Sequence, residues 1–204
     1  MMKRDIASVL LSVALLAGLA APAYAAAADD FNQPGPYVGL AAAGGLSEFQ
    51  GRLLGFGDSA GFNLRGGYRF NDYLAAEGLY EYMDEFGGHK LFNGAPAKSD
   101  FLTHNFSLMG KVILPTLGFT RLQPYFGAGV GFLNADGSSK FTLLGRQGRG
   151  NTSDTEFAGR VDGGIDYFLT PALSTFFDLG YVMPTGPLSE VTYLSLSLGA
   201  KYRF

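Results

Sequence analysis

Eight segments of the chain alternate between apolar and polar positions with a period of two residues. They fall near residues 36–49, 59–70, 73–85, 101–114, 124–134, 155–168, 172–183 and 190–204. A period of two is the spacing of side chains on one face of a β-strand. Each segment is about as long as a tilted strand that spans a bilayer, ~9–11 residues, or slightly longer. The pattern predicts eight strands in one domain.

The connections between these segments alternate between long and short. Long ones lie near residues 50–58, 86–100 and 135–154, and the short ones are Asn71-Asp72 and Thr170-Pro171. Two connections fit less well, because 115–123 is long for a turn and 184–189 is short for an outer loop. Long loops at one end and tight turns at the other are typical of membrane-spanning barrels. We therefore predict an antiparallel, up-and-down arrangement.

The composition indicates which face of each strand points outward. Hydrophobic residues make up 47% of the sequence and charged residues only 16%, against about 25% charged in an average soluble domain. The second face is rich in glycine and other small residues, as the narrow interior of an eight-stranded barrel requires. The sequence given also ends on an aromatic residue, Phe204. We expect the apolar face to contact lipid and the mixed face to line the lumen.

The first 25 residues have the features of a secretory signal. Lys3 and Arg4 precede an apolar stretch over residues 6–21, and Ala23 and Ala25 supply the small residues of a cleavage site. We expect cleavage after Ala25, which leaves a barrel domain over residues 26–204. An uncleaved anchor is the alternative, and the shortness of the apolar stretch disfavours it.

Four short motifs occur in the same order as in a known family. They are GPYVGL at 35–40, PYFGAGVG at 124–131, GGIDYFLT at 163–170 and YRF at 202–204. Together they resemble the OmpA-like, opacity-type small outer-membrane barrels over the whole of residues 26–204. The resemblance implies an all-β, eight-stranded antiparallel up-and-down transmembrane β-barrel in a Gram-negative outer membrane, with both termini in the periplasm. Tyr202 and Phe204 resemble the signal that the barrel-assembly machinery recognises.

The face assigned to the lumen collects six bases and five acids. They are Arg65, Arg69, Lys111, Arg160, Lys201 and Arg203, and Glu77, Glu81, Asp162, Asp166 and Asp178. Buried charges persist only when they are paired and hydrogen-bonded. This near-balance predicts a lumenal ion-pair network, which either fills the barrel as a plug or acts as a gate.

Two strand registers follow from the lengths of the short turns. A turn at 71–73 pairs Phe70 with Leu74, so that Arg65 lies opposite Leu79 and diagonal to both Glu77 and Glu81. A turn at 168–172 pairs Tyr167 with Leu173 and puts Asp162 directly opposite Asp178. Two carboxylates that close cannot both ionise cheaply, so this register predicts an acid pair with Arg160 diagonal to it.

Other candidate chemistry is sparse. Lys140, Arg146 and Arg149 lie in a glycine-rich loop at 138–154 and are candidates for contact with lipopolysaccharide phosphates. A lipid-A-modifying enzyme would need a serine within hydrogen-bond reach of a histidine. His104 and Ser107 are three residues apart and therefore on opposite faces of a strand.

These observations favour an integral outer-membrane protein that supports the envelope and displays surface loops. The alternatives are a narrow porin-like pore for small solutes and a lipid-A-modifying enzyme. The expected partners are outer-membrane lipid, lipopolysaccharide, the barrel-assembly machinery and an extracellular ligand. The net charge of −3 gives no indication of a nucleic-acid partner, and the absence of cysteine excludes thiol catalysis and zinc–thiolate sites. We also expect no catalytic residue, metal or cofactor, since no cluster of His, Asp and Glu has the spacing of metal ligands.

Overall fold

A computed structural model describes residues 31–47, 59–92, 95–114, 121–143, 146–190 and 192–204. These residues form eight strands and one short 3-10 helix, Gly186–Glu190, which follows the seventh strand. The strands are β1 Gly35–Ser47, β2 Ser59–Arg69, β3 Leu74–Phe92, β4 Ala95–Ile113, β5 Leu122–Leu143, β6 Arg146–Phe168, β7 Leu173–Pro184 and β8 Tyr193–Arg203.

The eight strands close into a barrel. Each strand pairs antiparallel with the next one in the chain, and β8 pairs with β1, so the predicted fold is confirmed. We call the end of the barrel that holds Gly35 and Arg203 the terminal end, and the opposite end the hairpin end. In the described ranges, no helix has the length and hydropathy needed to cross a membrane.

The predicted division into an apolar outer face and a polar inner face is also confirmed. On β5, Phe126 and Phe132 point outward and are 63% and 59% exposed, whereas Tyr125 and Leu133 point inward and are buried. The same alternation runs along β2, β7 and β8. The barrel wall therefore presents an apolar belt outside and a packed interior inside.

Two of the predicted long loops are instead continuations of strands. The segments 86–100 and 135–154 are almost entirely paired backbone, because β3–β4 and β5–β6 extend as tall hairpins up to 92–95 and 143–146. The regular alternation of apolar and polar residues that predicted the other strands stops in these segments. A β-bulge between Met83 and Phe86 marks the start of the β3 extension.

One of the two predicted turn registers is right and the other is wrong by two residues. Arg65 lies opposite Leu79, as expected. In the β6–β7 hairpin, however, Tyr167 pairs with Thr175, so Asp178 lies opposite Gly164. The predicted direct pair of Asp162 and Asp178 does not form.

Two rows of outward positions mark the upper limit of the apolar belt near the hairpin end. Each row runs from β3 to β6 through directly opposed residues. The aromatic row is Tyr80, Phe106, Phe132 and Phe157, and the polar row, one step nearer the hairpin end, is Tyr82, His104, Asn134 and Thr155. An aromatic girdle at the membrane–water boundary is typical of such barrels.

Candidate functional site: the charged lumen

The charged residues assigned to the lumen by sequence lie on inward positions of the strands. All of them are buried except Asp166, which is half-buried. They come from β2, β3, β4, β6, β7 and β8, because every second residue of each strand faces inward.

A continuous series of ion pairs begins on β4 and crosses the lumen. Lys111 Nζ lies 2.8 Å from Glu77 Oε1, and Glu77 Oε1 lies 3.6 Å from Arg65 Nη1. Arg65 then donates two hydrogen bonds to the Asp178 carboxylate, at 3.0 and 3.3 Å. This bidentate geometry is the strong form of an arginine–carboxylate pair.

The series continues from Asp178 to the other side of the barrel. Arg160 Nη2 lies 3.7 Å from Asp178 Oδ1, and Arg160 Nη1 donates to Glu81 Oε1 at 3.1 Å. We call the whole series the ion-pair chain; its members are Lys111, Glu77, Arg65, Asp178, Arg160 and Glu81. Signs alternate along it, so it contains as many positive as negative groups.

Each carboxylate of the ion-pair chain also accepts a hydrogen bond from a tyrosine hydroxyl; Tyr125 and Tyr193 are buried, and Tyr37 is half-buried. The donors and acceptors are Tyr37 and Glu77 (2.9 Å), Tyr125 and Asp178 (2.8 Å), and Tyr193 and Glu81 (2.9 Å). Ser195 adds a further bond to Glu81 at 2.7 Å. Sequence reasoning missed these four donors, although their inward positions on β1, β5 and β8 could have identified them.

The ion-pair chain joins strands that are not neighbours in the barrel wall. Arg65 on β2 reaches Asp178 on β7, and Arg160 on β6 reaches Glu81 on β3. Desolvation offsets much of the attraction within a buried pair, while removing one partner typically costs ~3–5 kcal/mol. The arrangement therefore fills and cross-links the lumen.

Asp162 stands apart from the ion-pair chain. Its carboxylate is buried, and neither oxygen makes a hydrogen bond with a described residue. Asp162 lies opposite Gly127, which in turn lies opposite Lys111. A Cβ at Gly127 would overlap the Asp162 carboxylate, so this glycine leaves the space that Asp162 occupies.

A second ion pair lies nearer the terminal end. Lys201 Nζ donates to Asp166 Oδ1 at 2.7 Å. The same ammonium lies 4.6 Å from the ring centroid of Phe176 and 4.8 Å from that of Tyr125. These rings supply cation–π attraction to the ammonium.

The segment before β1 covers the terminal mouth of the barrel. Phe31 is buried and packs against the Phe168 ring, with ring centroids 5.8 Å apart. Arg203 donates to the carbonyl oxygens of Phe31 and Gln33, each at 3.0 Å. Arg69 donates to Asn32 Oδ1 at 3.3 Å. The lumen is thus covered at this end as well.

The residues proposed as an assembly signal lie on the outer face at the terminal end. Tyr202 and Phe204 stack edge to face with centroids 5.2 Å apart, and Phe204 is 72% exposed. The Phe204 backbone N–H donates to Pro36 O at 3.0 Å. Ala23 and Ala25 of the cleavage site lie outside the described residues.

The three bases of the expected 138–154 loop lie on strands β5 and β6. Lys140 is directly opposite Arg149, whereas Arg146 pairs with Leu143 at the tip of the hairpin and is on the other face of the sheet. The loop assignment was therefore wrong, and the register separates Arg146 from the other two. Their side chains lie outside the described part of the structure.

The histidine and serine considered for catalysis are on opposite sides of the barrel wall. His104 is on the outer face, and its Nδ1 shares a 2.8 Å hydrogen bond with the Tyr80 hydroxyl. Ser107 is buried inside and donates to Asn105 Oδ1 at 2.6 Å. Among the described residues, no group of three or more His, Cys, Asp or Glu side chains could hold a metal ion.

An apolar outer belt, a polar ion-paired lumen and eight up-and-down strands define a small membrane-spanning barrel. The chain belongs to the outer membrane protein beta-barrel domain family, whose model matches residues 11–204. It is therefore an integral outer-membrane barrel. No curated protein sequence matches the chain.

Several solved structures of small outer-membrane barrels share the fold. Neisserial surface protein A has a TM-score of 0.58 and 21% identity, over 83% of this chain and 97% of its own. OprG from Pseudomonas aeruginosa has a TM-score of 0.59 and 15% identity, over 86% of this chain and 99% of its own. Ail from Yersinia pestis, solved with the heparin analogue sucrose octasulfate, has a TM-score of 0.56 and 19% identity, over 84% of this chain and 99% of its own. At these identities the likeness shows the fold alone.

Proposed function

We propose that the protein is a structural component of the outer membrane, with a lumen closed by its own side chains and with hairpins displayed at the cell surface. The observation that carries this proposal is the ion-pair chain, which crosses the lumen from Lys111 to Glu81 without an interruption. The interior of an eight-stranded barrel is just wide enough for side chains to fill. A closed lumen fits a role in envelope integrity better than a role in transport.

The proposal includes an orientation and a route of assembly. The terminal end lies in the periplasm and the tall hairpins lie outside, as in barrels whose short turns are periplasmic. A signal peptidase recognises Ala23 and Ala25 and cleaves after Ala25, which releases the exported chain. Tyr202 and Phe204 then serve as the contact for the barrel-assembly machinery. Outer-membrane lipid and lipopolysaccharide surround the apolar belt in the folded state.

Single-channel recording in planar bilayers tests the closed lumen. We expect the refolded wild-type protein to insert without discrete openings, because the ion-pair chain and Phe31 obstruct the lumen at two levels. Discrete openings in the wild type would overturn the closed-lumen proposal and favour the alternative, a narrow pore for small solutes.

The variant Arg65→Ala separates a plug from a gate. It removes the central cation of the ion-pair chain, while Tyr125 and Phe176 stay in place as filling groups. The plug proposal predicts that Arg65→Ala remains silent, as does the control Asp136→Ala at an exposed position on the outer face of β5. Openings in Arg65→Ala alone would mean that the ion-pair chain is a gate.

The enzymatic alternative is tested by lipid A mass spectrometry with and without the protein. We propose that the protein is not an enzyme, because His104 shares its hydrogen bond with Tyr80 outside while Ser107 bonds Asn105 inside. The expected result is an unchanged lipid A spectrum. Loss or gain of an acyl chain would overturn the structural assignment.

A surface-binding role is the second part of the proposal. Lys140, Arg146 and Arg149 place three bases in the tall β5–β6 hairpin, where guanidinium and ammonium groups suit phosphate or sulfate oxygens. Ail, which shares the fold, was solved with a sulfated heparin analogue.

A further inference from the structure

A cavity lies inside the barrel between the ion-pair chain and the terminal mouth. Its volume is about 40 Å³, and its lining residues include members of all eight strands. One buried water needs roughly 10–15 Å³ of such space, so the cavity has room for about three waters or for one anion of a few atoms. We call it the terminal cavity.

The charged side chains that line the terminal cavity are mainly basic. Among the described lining residues they are Arg69, Lys111, Lys201 and Arg203, with Asp166 as the one acid. Lysine and arginine side chains offer only hydrogen-bond donors. The lining therefore favours an occupant that accepts hydrogen bonds and carries negative charge.

A buried serine hydroxyl in this lining lacks a partner within the described residues. Ser174 on β7 lines the cavity and is 2% exposed, and its hydroxyl makes no hydrogen bond to any residue of the described ranges. It lies directly opposite Lys201 on β8. Because a buried polar group without a partner is unfavourable, the Ser174 hydroxyl needs a partner inside the cavity.

Two ammonium groups lie against the same aromatic ring beside the cavity. Lys111 Nζ and Lys201 Nζ are 4.3 and 4.8 Å from the ring centroid of Tyr125. Each ammonium has one carboxylate oxygen nearby, at 2.8 and 2.7 Å respectively, but carries three N–H donors. Donors therefore remain for an occupant of the cavity. We call Lys111, Lys201 and Ser174 the donor cluster.

The rest of the lining is largely apolar. Ala75 and Ile113 pack in one cluster with Tyr125, and Phe168 and Ala172 also line the cavity. Phosphate and sulfate present oxygen atoms on every side, so they suit such walls poorly. A carboxylate with a short apolar tail matches both parts of the lining, with its oxygens at the donors and its carbon atoms at the apolar walls.

We propose that the terminal cavity binds a short-chain monocarboxylate of the size of acetate. The carboxylate accepts charge-assisted hydrogen bonds from the donor cluster, and the methyl group packs against Ala75 and Ile113. Arg69 and Arg203 line the cavity and also bind the segment that covers the terminal mouth. The site adds a small-molecule ligand to the structural function, and a closed lumen does not depend on it.

Equilibrium dialysis with radiolabelled acetate tests the proposal. The folded protein is held in detergent micelles, and the ionic strength is kept constant with sodium sulfate. We expect saturable binding of one acetate per chain. Chloride at the same concentration should displace little of it, because a halide gains nothing from the apolar part of the lining. Complete displacement by equimolar chloride would overturn the assignment to a carboxylate.

A matched pair of serine variants tests the position of the site. Ser174→Ala removes the neutral member of the donor cluster. Ser107→Ala removes another buried, inward-facing serine that does not line the cavity. We expect Ser174→Ala to weaken acetate binding at least about threefold, and Ser107→Ala to bind as the wild type does. Equal affinities in the two variants would overturn the placement of the carboxylate at Ser174.

A double variant of unchanged net charge tests the role of the ammonium. Lys201→Gln with Asp166→Asn removes one ion pair from the lining, and the loss of a charge-assisted contact should weaken acetate binding at least about tenfold. Heat-modifiable migration in gels shows whether each variant is folded. If the double variant does not fold, the serine pair still decides the result.

Two other results would overturn the proposal. No saturable binding of acetate would mean that the cavity holds water alone. Binding only after Asp29→Asn with Asp30→Asn would mean that the acids before Phe31 in the sequence fill the cavity instead. Silent single-channel recordings alongside either result would leave the closed-lumen function intact.

Discussion

At the scale of single residues, glycines on the inner face leave the space that large polar side chains of the lumen occupy. Tyr125, which donates to Asp178, lies against Gly164, and the Asp162 carboxylate lies over Gly127. In each case an added Cβ would occupy space already taken by a buried neighbour. The glycines of the inner face are therefore part of how the ion-pair chain and its tyrosines fit.

The substitution Gly164→Ala tests this match. Its Cβ would lie 2.5 Å from the Phe177 carbonyl oxygen and 2.6 Å from the Tyr125 hydroxyl oxygen. Because neither neighbour can move freely, we expect the free energy of unfolding to fall by about 1–3 kcal/mol. The measurement is denaturant unfolding of the refolded barrel in lipid vesicles.

Gly66→Ala is the matched control, since nothing lies within 4 Å of its added Cβ on the outer face. Alanine in a strand is favoured over glycine by roughly 0.5–1 kcal/mol, so this variant should be neutral or slightly more stable. Equal destabilisation of the two variants would contradict the packing argument.

The sequence is enough to predict which residues face the lumen, but it does not predict which acid pairs with which base. The period of two is enough to place Arg65, Glu77 and Asp178 inside. Which carboxylate binds which base depends on the width of the lumen and on contacts across it, such as Arg65 with Asp178, which are 113 residues apart. No local pattern encodes such a pair.

At the scale of elements, the two tight turns of the terminal end set the registers of their hairpins. Phe70 N donates to Leu74 O at 2.9 Å, and Leu169 N donates to Leu173 O at 2.9 Å. In the first turn, Asn71 Oδ1 accepts from the backbone N–H groups of Tyr73 and Leu74, at 2.8 and 2.9 Å. An asparagine side chain of this kind holds a turn closed by replacing a backbone acceptor.

The substitution Asn71→Ala removes both of these hydrogen bonds. With ~0.5–1.5 kcal/mol for each bond, we expect unfolding to become easier by about 1–2 kcal/mol. The neighbouring Asp72→Ala, at an exposed position of the same turn, should change stability by less than about 0.5 kcal/mol. Equal values from vesicle unfolding experiments would mean that the side chain of Asn71 does not stabilise the turn.

The β6–β7 register illustrates where sequence reasoning fails at this scale. The predicted turn holds five residues, 168–172, between Tyr167 and Leu173. The observed turn holds only three, 170–172, between Leu169 and Leu173, and this difference shifts the pairing of the whole hairpin by two residues. The Thr170 hydroxyl accepts from Leu173 N at 3.0 Å and stabilises the tighter turn. Composition alone does not distinguish these two loop lengths.

The tall hairpins escaped sequence analysis for a different reason. Alternation identifies a strand only where its two faces meet different surroundings. Above the polar row, both faces of β5 carry small and polar residues, as at Ser138, Ser139 and Lys140. These segments look like loops in sequence although their backbone is paired.

At the scale of the whole molecule, the wall is closed where β8 meets β1. Phe204 sits just beyond this seam, and its backbone N–H bonds Pro36 O while its ring stays exposed to lipid. A ring with few contacts inside the protein contributes little to the folded state beyond its stacking on Tyr202, worth ~0.5–1.5 kcal/mol. This position suits a residue that is recognised before the barrel is complete.

The variant Phe204→Ala tests the proposed assembly signal. We expect the amount inserted into the outer membrane of cells to fall several-fold, while refolding into vesicles in vitro is almost unchanged. Leu198→Ala removes a comparably exposed apolar side chain from the same strand and should insert normally. Wild-type insertion of Phe204→Ala would remove the signal from the proposal and leave the fold untouched.

The closure of β1 on β8 also has a kinetic consequence. Every other pairing joins strands that are adjacent in sequence, whereas Tyr37 and Arg203 meet only after the entire domain has been threaded. Loop-closure entropy opposes such distant pairing, so the seven local hairpins should form before the seam does. Until that last step, β1 and β8 present bare edges, which are templates for another strand. Before β1 and β8 pair, their free edges can therefore bind an assembly partner or associate wrongly with a strand of another chain.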